Sequence, residues 1–217
     1  ASTNRLDDDA LRRVVETAER IARLSPDDPE LMPELGPQDY LAVAPDLFWR
    51  IQPGVELDPD VPDQFQQALG LMGRFDQDQG VRDIEATIRA ARHRMGGTAK
   101  VGCVGYCLGG RLAFMTSART DIDASVGYYG VGIDSLLREK HAIARPLMLH
   151  IPTADGFVGP EVQQAMHEGL DDHPKVTLHD YEGLDHGFAA EQGKRRVDDA
   201  AQLADSRTET FFAEHLG

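Results

Sequence analysis

The stretch Lys100-Val101-Gly102-Cys103-Val104-Gly105-Tyr106-Cys107-Leu108-Gly109-Gly110 decides how the rest of this chain is read. A short apolar run, Val101 to Val104, stops at a glycine, and a reactive side chain, Cys107, follows between Gly105 and Gly109. A helical pattern then begins at Leu112, Ala113, Phe114 and Met115. The pattern predicts a strand, a tight turn and a helix with Cys107 at the apex, the form Gly-x-Cys-x-Gly. A sharp strand-to-helix turn has little room for bulk beside its apex. The helix beneath it offers backbone N–H groups and the positive end of a dipole, which favour a thiolate and a developing oxyanion.

Outward from this turn, strands and helices alternate. Val81 to Arg94 reads as a helix with Val81, Ile84, Ile88 and Ala91 as its apolar stripe, ended by Gly96-Gly97. Residues 63 to 74 suggest a helix with Phe65, Leu69 and Met72 on one face. Tyr40 to Ala44 reads as a strand ended by Pro45-Asp46. Further strands are expected at 124–129, 146–151 and 175–181, with helices at 160–170 and after Lys194. The alternation implies an α/β fold, a mostly parallel sheet with helices on both faces. Residues 1–39 stand apart: a helical pattern over 9–24, then a stretch broken by Pro26, Pro29, Pro33 and Pro37. The expected division is an atypical N-terminal segment, 1–39, and a domain over 40–217.

With 217 residues, 41% hydrophobic and 27% charged, the chain can bury a substantial core. A formal net charge of -15 argues against nucleic acid and anionic membranes as partners. No apolar run approaches the roughly 20 residues of a membrane span. Ala1 to Asp9 lack a signal-peptide pattern. Cys103 and Cys107 sit on one strand and its turn, poor geometry for a disulfide, and show no paired metal spacing. A reducing, cytoplasmic location is expected, with a monomer as the default state and a dimer as the variant.

In parallel sheets, reactive groups gather at the carboxyl ends of strands. Those ends supply Cys107, then Asp155 in Thr153-Ala154-Asp155-Gly156, then His186 in Asp185-His186-Gly187-Phe188. A free thiol with pKa near ~8.5 is a few per cent thiolate at neutral pH, yet strongly nucleophilic. His186 can exchange its proton, Asp155 can hold the imidazole, and the Leu108 N–H can bind an oxyanion. His150 and His179 lie within strands and are expected to be structural, as is Cys103. Tyr128 and Tyr129 are adjacent on a strand and should face opposite ways, one of them toward the site. Phe48, Trp49, Phe157 and Phe188 are candidate pocket walls.

These segments together resemble the dienelactone hydrolases (carboxymethylenebutenolidase-like), a branch of the alpha/beta hydrolases. The resemblance rests on Ala44-Pro45-Asp46-Leu47-Phe48, Gly105-Tyr106-Cys107-Leu108-Gly109-Gly110, Val126 to Gly132, Asp155-Gly156-Phe157-Val158 and Gly183 to Phe188. It implies a Cys107–His186–Asp155 triad that hydrolyses a small ester or enol-lactone through an acyl-cysteine, without metal or organic cofactor. The order nucleophile, acid, histidine agrees. Two departures stand out. Phe65 and Ala190 occupy the positions of the family's carboxylate-binding arginines, with Arg50, Arg74 and Arg111 as possible substitutes. Residues 1–39 contain no strand ending in the Gln-Glu-x-x-Gly-like segment that completes the family's oxyanion hole. The alternative implied is a small-molecule-binding homologue without catalysis.

Overall fold

β3 (Leu147–Pro152) sets the layering, because its side chains alternate between two separate cores. Leu147, Leu149 and Ile151 enter one core, and Met148 enters the other. A computed structural model describes residues 40–191 and 193–217. Within them four parallel strands lie side by side in chain order: β1 (Gly102–Tyr106), β2 (Ala124–Tyr128), β3 and β4 (Val176–Tyr181). The register aligns Val104 with Val126, Val126 with Met148, and Met148 with Thr177. The expected mostly parallel α/β sheet is therefore the observed one.

Ahead of the sheet come α1 (Pro62–Met72) and α2 (Gln77–Arg94). α1 starts with Pro in its first turn, where the missing N–H is not needed. Its buried position is Leu71, at 1% exposure, rather than Leu69, at 38%. α2 begins earlier than its apolar stripe suggests, because Asp76 caps it by accepting from Gln79 N at 3.0 Å. α3 (Leu108–Arg119) follows the turn, a 3-10 segment spans Ile133–Ala142, α4 runs over Pro160–Leu170 and α5 over Asp198–Leu216. Val81 of α2, Leu112 and Met115 of α3 and Met166 of α4 share the first core with Leu147, Leu149 and Ile151. Ala201, Ala204, Phe211 and Phe212 of α5 meet Val126, Tyr128 and Met148 in the second. No helix among the described residues is long and apolar enough to cross a membrane.

The second core encloses a polar network. His150, fully buried, pairs through Nδ1 with the Tyr181 hydroxyl at 2.7 Å and through Nε2 with Thr208 Oγ1 at 3.1 Å. Thr208 also meets the Tyr128 hydroxyl at 2.7 Å, and Tyr128 donates to Asp205 at 3.1 Å. Burial, with the nearby His179 and Arg207 charges, pushes His150 down to about 3, so this imidazole is neutral. The network ties β2, β3 and β4 to α5 and gives His150 the structural role expected of it.

Three expectations are corrected here. Tyr40 to Ala44 is not a strand: Leu41 and Val43 are each 43% exposed, and no described strand pairs with the segment. A strand holds its shape through ladder partners, and this segment has none among the described residues. No helical segment was expected between the strands at 124–129 and 146–151, and a 3-10 segment lies there. The Lys194-Arg195-Arg196 run precedes α5 rather than opening it. The helix anticipated over 9–24 lies outside the described residues.

The packing of α3 separates the glycines of the turn. A Cβ on Gly105 would sit 2.0 Å from Gly109 O, and one on Gly110 would sit 2.4 Å from Tyr128 O. Both obstacles are backbone and cannot swing aside. A Cβ on Gly109 would meet nothing within 4 Å. Gly105→Ala is therefore expected to cost at least about 3 kcal/mol by overpacking. Gly109→Ala should hold or gain stability, by up to about 1 kcal/mol from helix propensity. Urea denaturation of the two variants checks this, and equal destabilisation would contradict it.

Candidate active site

Four loops at the carboxyl ends of the strands are held together by main-chain bonds that extend the sheet ladder. Cys107 N donates to Tyr128 O at 3.0 Å, Tyr129 N to His150 O at 2.8 Å, and Thr153 N to Tyr181 O at 3.0 Å. Ala154 N then donates to Leu184 O at 2.9 Å. Gly183 N is bound to Thr153 Oγ1 at 2.8 Å. The loops carrying Cys107, Asp155 and His186 are thus fixed relative to one another before any side-chain contact is made.

Cys107 occupies the junction of β1 and α3 with φ 57° and ψ -112°. A side chain rarely adopts this conformation, and it costs of order 1–3 kcal/mol. It sets the thiol at the apex of the turn, above the start of α3. Leu108 is the first residue of that helix, where backbone N–H groups have no intrahelical acceptor. Its N–H therefore lies in the first turn of α3, directly after Cys107.

His186 Nδ1 meets Asp155 Oδ2 at 2.9 Å and Oδ1 at 3.2 Å. The Asp155 side chain is fully buried and that of His186 is 7% exposed. Asp155 Oδ1 also accepts from Phe157 N at 2.7 Å and Val158 N at 3.2 Å, which fixes the carboxylate. Cys107 stands close enough to the imidazole to act on its affinity for a proton. Burial opposes its charged form, but Asp155 and Cys107 outweigh burial and push His186 up to about 9. The three residues expected to act together are therefore contiguous.

Among the aromatic candidates the structure divides sharply. Phe157, 46% exposed, stands edge-on to His186 with ring centres 4.7 Å apart. Tyr129 lies 4.8 Å from the His186 ring. It does not alternate with Tyr128, because it lies beyond the end of β2 with φ 40°. That dihedral re-aims it, and the two rings come within 6.1 Å. Tyr128 is fully buried in the polar network, and Phe188 is fully buried against Tyr181, 4.6 Å between ring centres. Phe48 packs on Phe75 at 5.6 Å, and the Trp49 indole donates to Asp83 at 3.2 Å. Tyr128, Phe188, Phe48 and Trp49 are thus committed to packing, for the ordinary reason that aromatic area is most stable out of water.

The arginines named as substitutes are also occupied. Arg50 forms a two-pronged pair with Asp83, Arg74 donates to Gly70 O, and Arg111 binds Gln77 Oε1 and the carbonyls of Val131 and Gly132. Two residues that the sequence reading missed stand at the site instead. Asp185 Oδ1 accepts from Gly156 N at 2.8 Å and His186 N at 2.7 Å, bridging the loops of the acid and the base. Arg195 lies 5.9 Å from the centre of the Phe157 ring and packs against Gly187. The Asp-His-Gly string hinted at Asp185. Nothing local marked Arg195, which reaches the site only because α5 starts late. Among the described residues no three His, Cys, Asp or Glu side chains converge as a metal site.

Comparison with known proteins agrees with this geometry. The family model for the dienelactone hydrolase family matches residues 30–216. The carboxymethylenebutenolidase of Pseudomonas putida is 43% identical over 81% of this chain and 75% of its own length. Carboxymethylenebutenolidase 1 of Cupriavidus pinatubonensis is 37% identical over 92% of this chain and 85% of its own. A Klebsiella pneumoniae structure assigned to the dienelactone hydrolases superposes with TM-score 0.67 at 25% identity, over 81% of this chain and 76% of that one. A Pyrococcus furiosus esterase shares the fold alone, with TM-score 0.53 at 17% identity over 64% and 63% of the two chains. On these matches the chain belongs to the dienelactone hydrolase family, and its parallel sheet is an alpha/beta-hydrolase-like fold.

Proposed function

We propose that the protein hydrolyses small esters and enol-lactones through an acyl-cysteine on Cys107, with His186 as proton carrier and Asp155 as its anchor. The observation that carries this reading is the buried His186–Asp155 pair, with Cys107 close enough to raise the imidazole.

A His186 raised to about 9 carries its proton at neutral pH. The Cys107 thiolate attacks the carbonyl carbon, and the Leu108 N–H receives the oxyanion. As the tetrahedral adduct collapses, the imidazolium gives its proton to the departing alkoxide oxygen. The neutral imidazole then takes a proton from water, whose oxygen attacks the thioester. Collapse of this second adduct breaks the C–S bond, releases the carboxylic acid product and restores thiolate and imidazolium. Asp155 holds the imidazole orientation throughout.

Phe157 and Tyr129 flank His186 and offer apolar walls to the acyl or leaving group. Arg195 stands over the outer wall and supplies a cation to an anionic substrate. It takes the place in this reading of the arginines absent at Phe65 and Ala190. The relatives named carboxymethylenebutenolidase support a substrate that bears a carboxylate. The reading without catalysis draws on one observation, that β1 has a neighbouring strand on one side only among the described residues. A p-nitrophenyl acetate burst assay separates the two readings, since a binder forms no acyl-enzyme.

Three outcomes are expected. Cys107→Ala should lower ester turnover by about 10^4-fold or more without changing the circular dichroism spectrum. Full activity in that variant would remove the triad. The alkaline limb of kcat/KM should centre near pH 9, where His186 loses its proton. In Asp155→Asn, whose turnover should fall roughly 10^3- to 10^4-fold, the limb should move to lower pH, because the carboxylate is what holds the proton on. A limb unmoved in that variant would assign it to another group. Arg195→Gln should raise KM about tenfold for carboxylate-bearing esters and leave KM for neutral esters within twofold. Equal changes for both would exclude Arg195 from substrate recognition.

A further inference from the structure

Far from the triad, a groove of about 470 Å³ runs between the edge strand β4 and the C-terminal half of α5. Its lining follows from two periodicities. Lys175, just ahead of β4, and Thr177 and His179 within it project to the face that α5 covers, since alternate residues share a face. Along α5, Arg207, Phe211 and Glu214 recur at three- and four-residue spacing and form one stripe. β3 supplies the floor through Met148, which with Phe211 is about nine-tenths or more buried.

The charge in this groove runs against that of the chain. The whole sequence carries a formal charge of -15, yet the groove sets two cations, Lys175 and Arg207, against one carboxylate, Glu214, with the His179 and His215 rings beside them. Asp180, the acid next to His179, points to the other face of β4 and binds His167 at 3.1 Å. No ion pair among the described residues neutralises Lys175 or Arg207. The Arg207 guanidinium rests over the Tyr181 ring, 5.3 Å from its centre. His179 is held below its ordinary value by burial and then by the Arg207 charge, as expected beside an unbalanced cation. Thr177, Ser206 and Thr210 add hydroxyls to the walls. A concave apolar floor beneath convergent polar donors is the usual form of a small-molecule site, and 300–1,000 Å³ its rough usual size.

We propose that this groove binds a small organic carboxylate, its apolar body on Met148 and Phe211 and its anionic end between Arg207 and Lys175. The charge selects an anion, and the floor selects one with an apolar portion. Arg207 is steadied by Tyr181, and neither cation has a carboxylate partner among the described residues, so an incoming carboxylate can take that place. The site is separate from the triad and does not depend on the hydrolytic reading.

Titration calorimetry with benzoate as the probe tests it on the full chain. Benzoate should bind more tightly than benzyl alcohol, which lacks the charge, and than inorganic phosphate, which lacks the apolar body. Arg207→Gln should weaken benzoate binding about tenfold, and Lys175→Gln, at an exposed position safe for folding, should weaken it severalfold. Both variants should retain ester hydrolysis. Benzoate affinity unchanged in both variants would overturn the proposal, as would equal affinity for benzyl alcohol or phosphate. Loss of benzoate binding in Arg195→Gln with retention in Lys175→Gln and Arg207→Gln would move the site to the triad and also overturn it.

Discussion

The backbone of α3 lies directly on the sheet, and the rest of the molecule depends on that contact. Side chains normally keep a helix about 10 Å from a sheet, but here Gly105, Gly110, Gly127 and Gly130 remove them where the helix begins. A Cβ on Gly127 would strike Gly110 O at 2.9 Å, and one on Gly130 would strike Gly110 C at 2.8 Å. The close approach lets a five-residue strand turn straight into a helix, which forces the dihedrals of Cys107. It also brings the first N–H groups of α3 to the level at which β2 and β3 end. The reactive thiol and the loops that serve it meet because four glycines meet first.

The second support is the extension of the ladder beyond the strands. Hydrogen bonds from Cys107, Tyr129, Thr153 and Ala154 carry the sheet's regularity into loops that would otherwise be free. One oxygen of Asp185 then accepts from Gly156 N, which ties the His186 loop to the Asp155 loop, and from His186 N within its own loop. Loops held in this way keep the Asp155 carboxylate and the His186 imidazole in a fixed relation.

Much of this was legible in the residues. Gly105, one residue before the end of the strand that leads to Cys107, is glycine because only glycine fits there, so the turn announced itself. Asp155 and His186 were legible because parallel strands put their carboxyl ends on one edge. Other features were hidden, for physical reasons that differ by residue. Tyr128 and Tyr129 read as an alternating pair, but the positive φ of Tyr129 is a decision of the fold rather than of composition. Tyr40 to Ala44 has strand-forming residues, yet a strand exists through its neighbours, and its exposure shows that local propensity does not suffice. Arg195 became visible only when a helix start moved to Asp198. The fate of Arg50 and Arg111 was decided by partners 33 and 34 residues away.

The two buried histidines have a joint consequence for the whole chain. His150 is held near 3 by burial and His186 near 9 by its partners, each starting from an ordinary value of 6.5. Unfolding returns both to that common value. His150 then takes up a proton to the extent that the unfolded imidazole is charged, and His186 releases one to the extent that it is not. At pH 6.5 uptake and release cancel. Below it, unfolding takes up protons, so acid lowers stability; above it, unfolding releases them, so base lowers stability. The neutral imidazole of the polar core and the charged one of the site thus act as opposed proton buffers, and as far as these two groups govern it, the fold is most stable where neither side prevails.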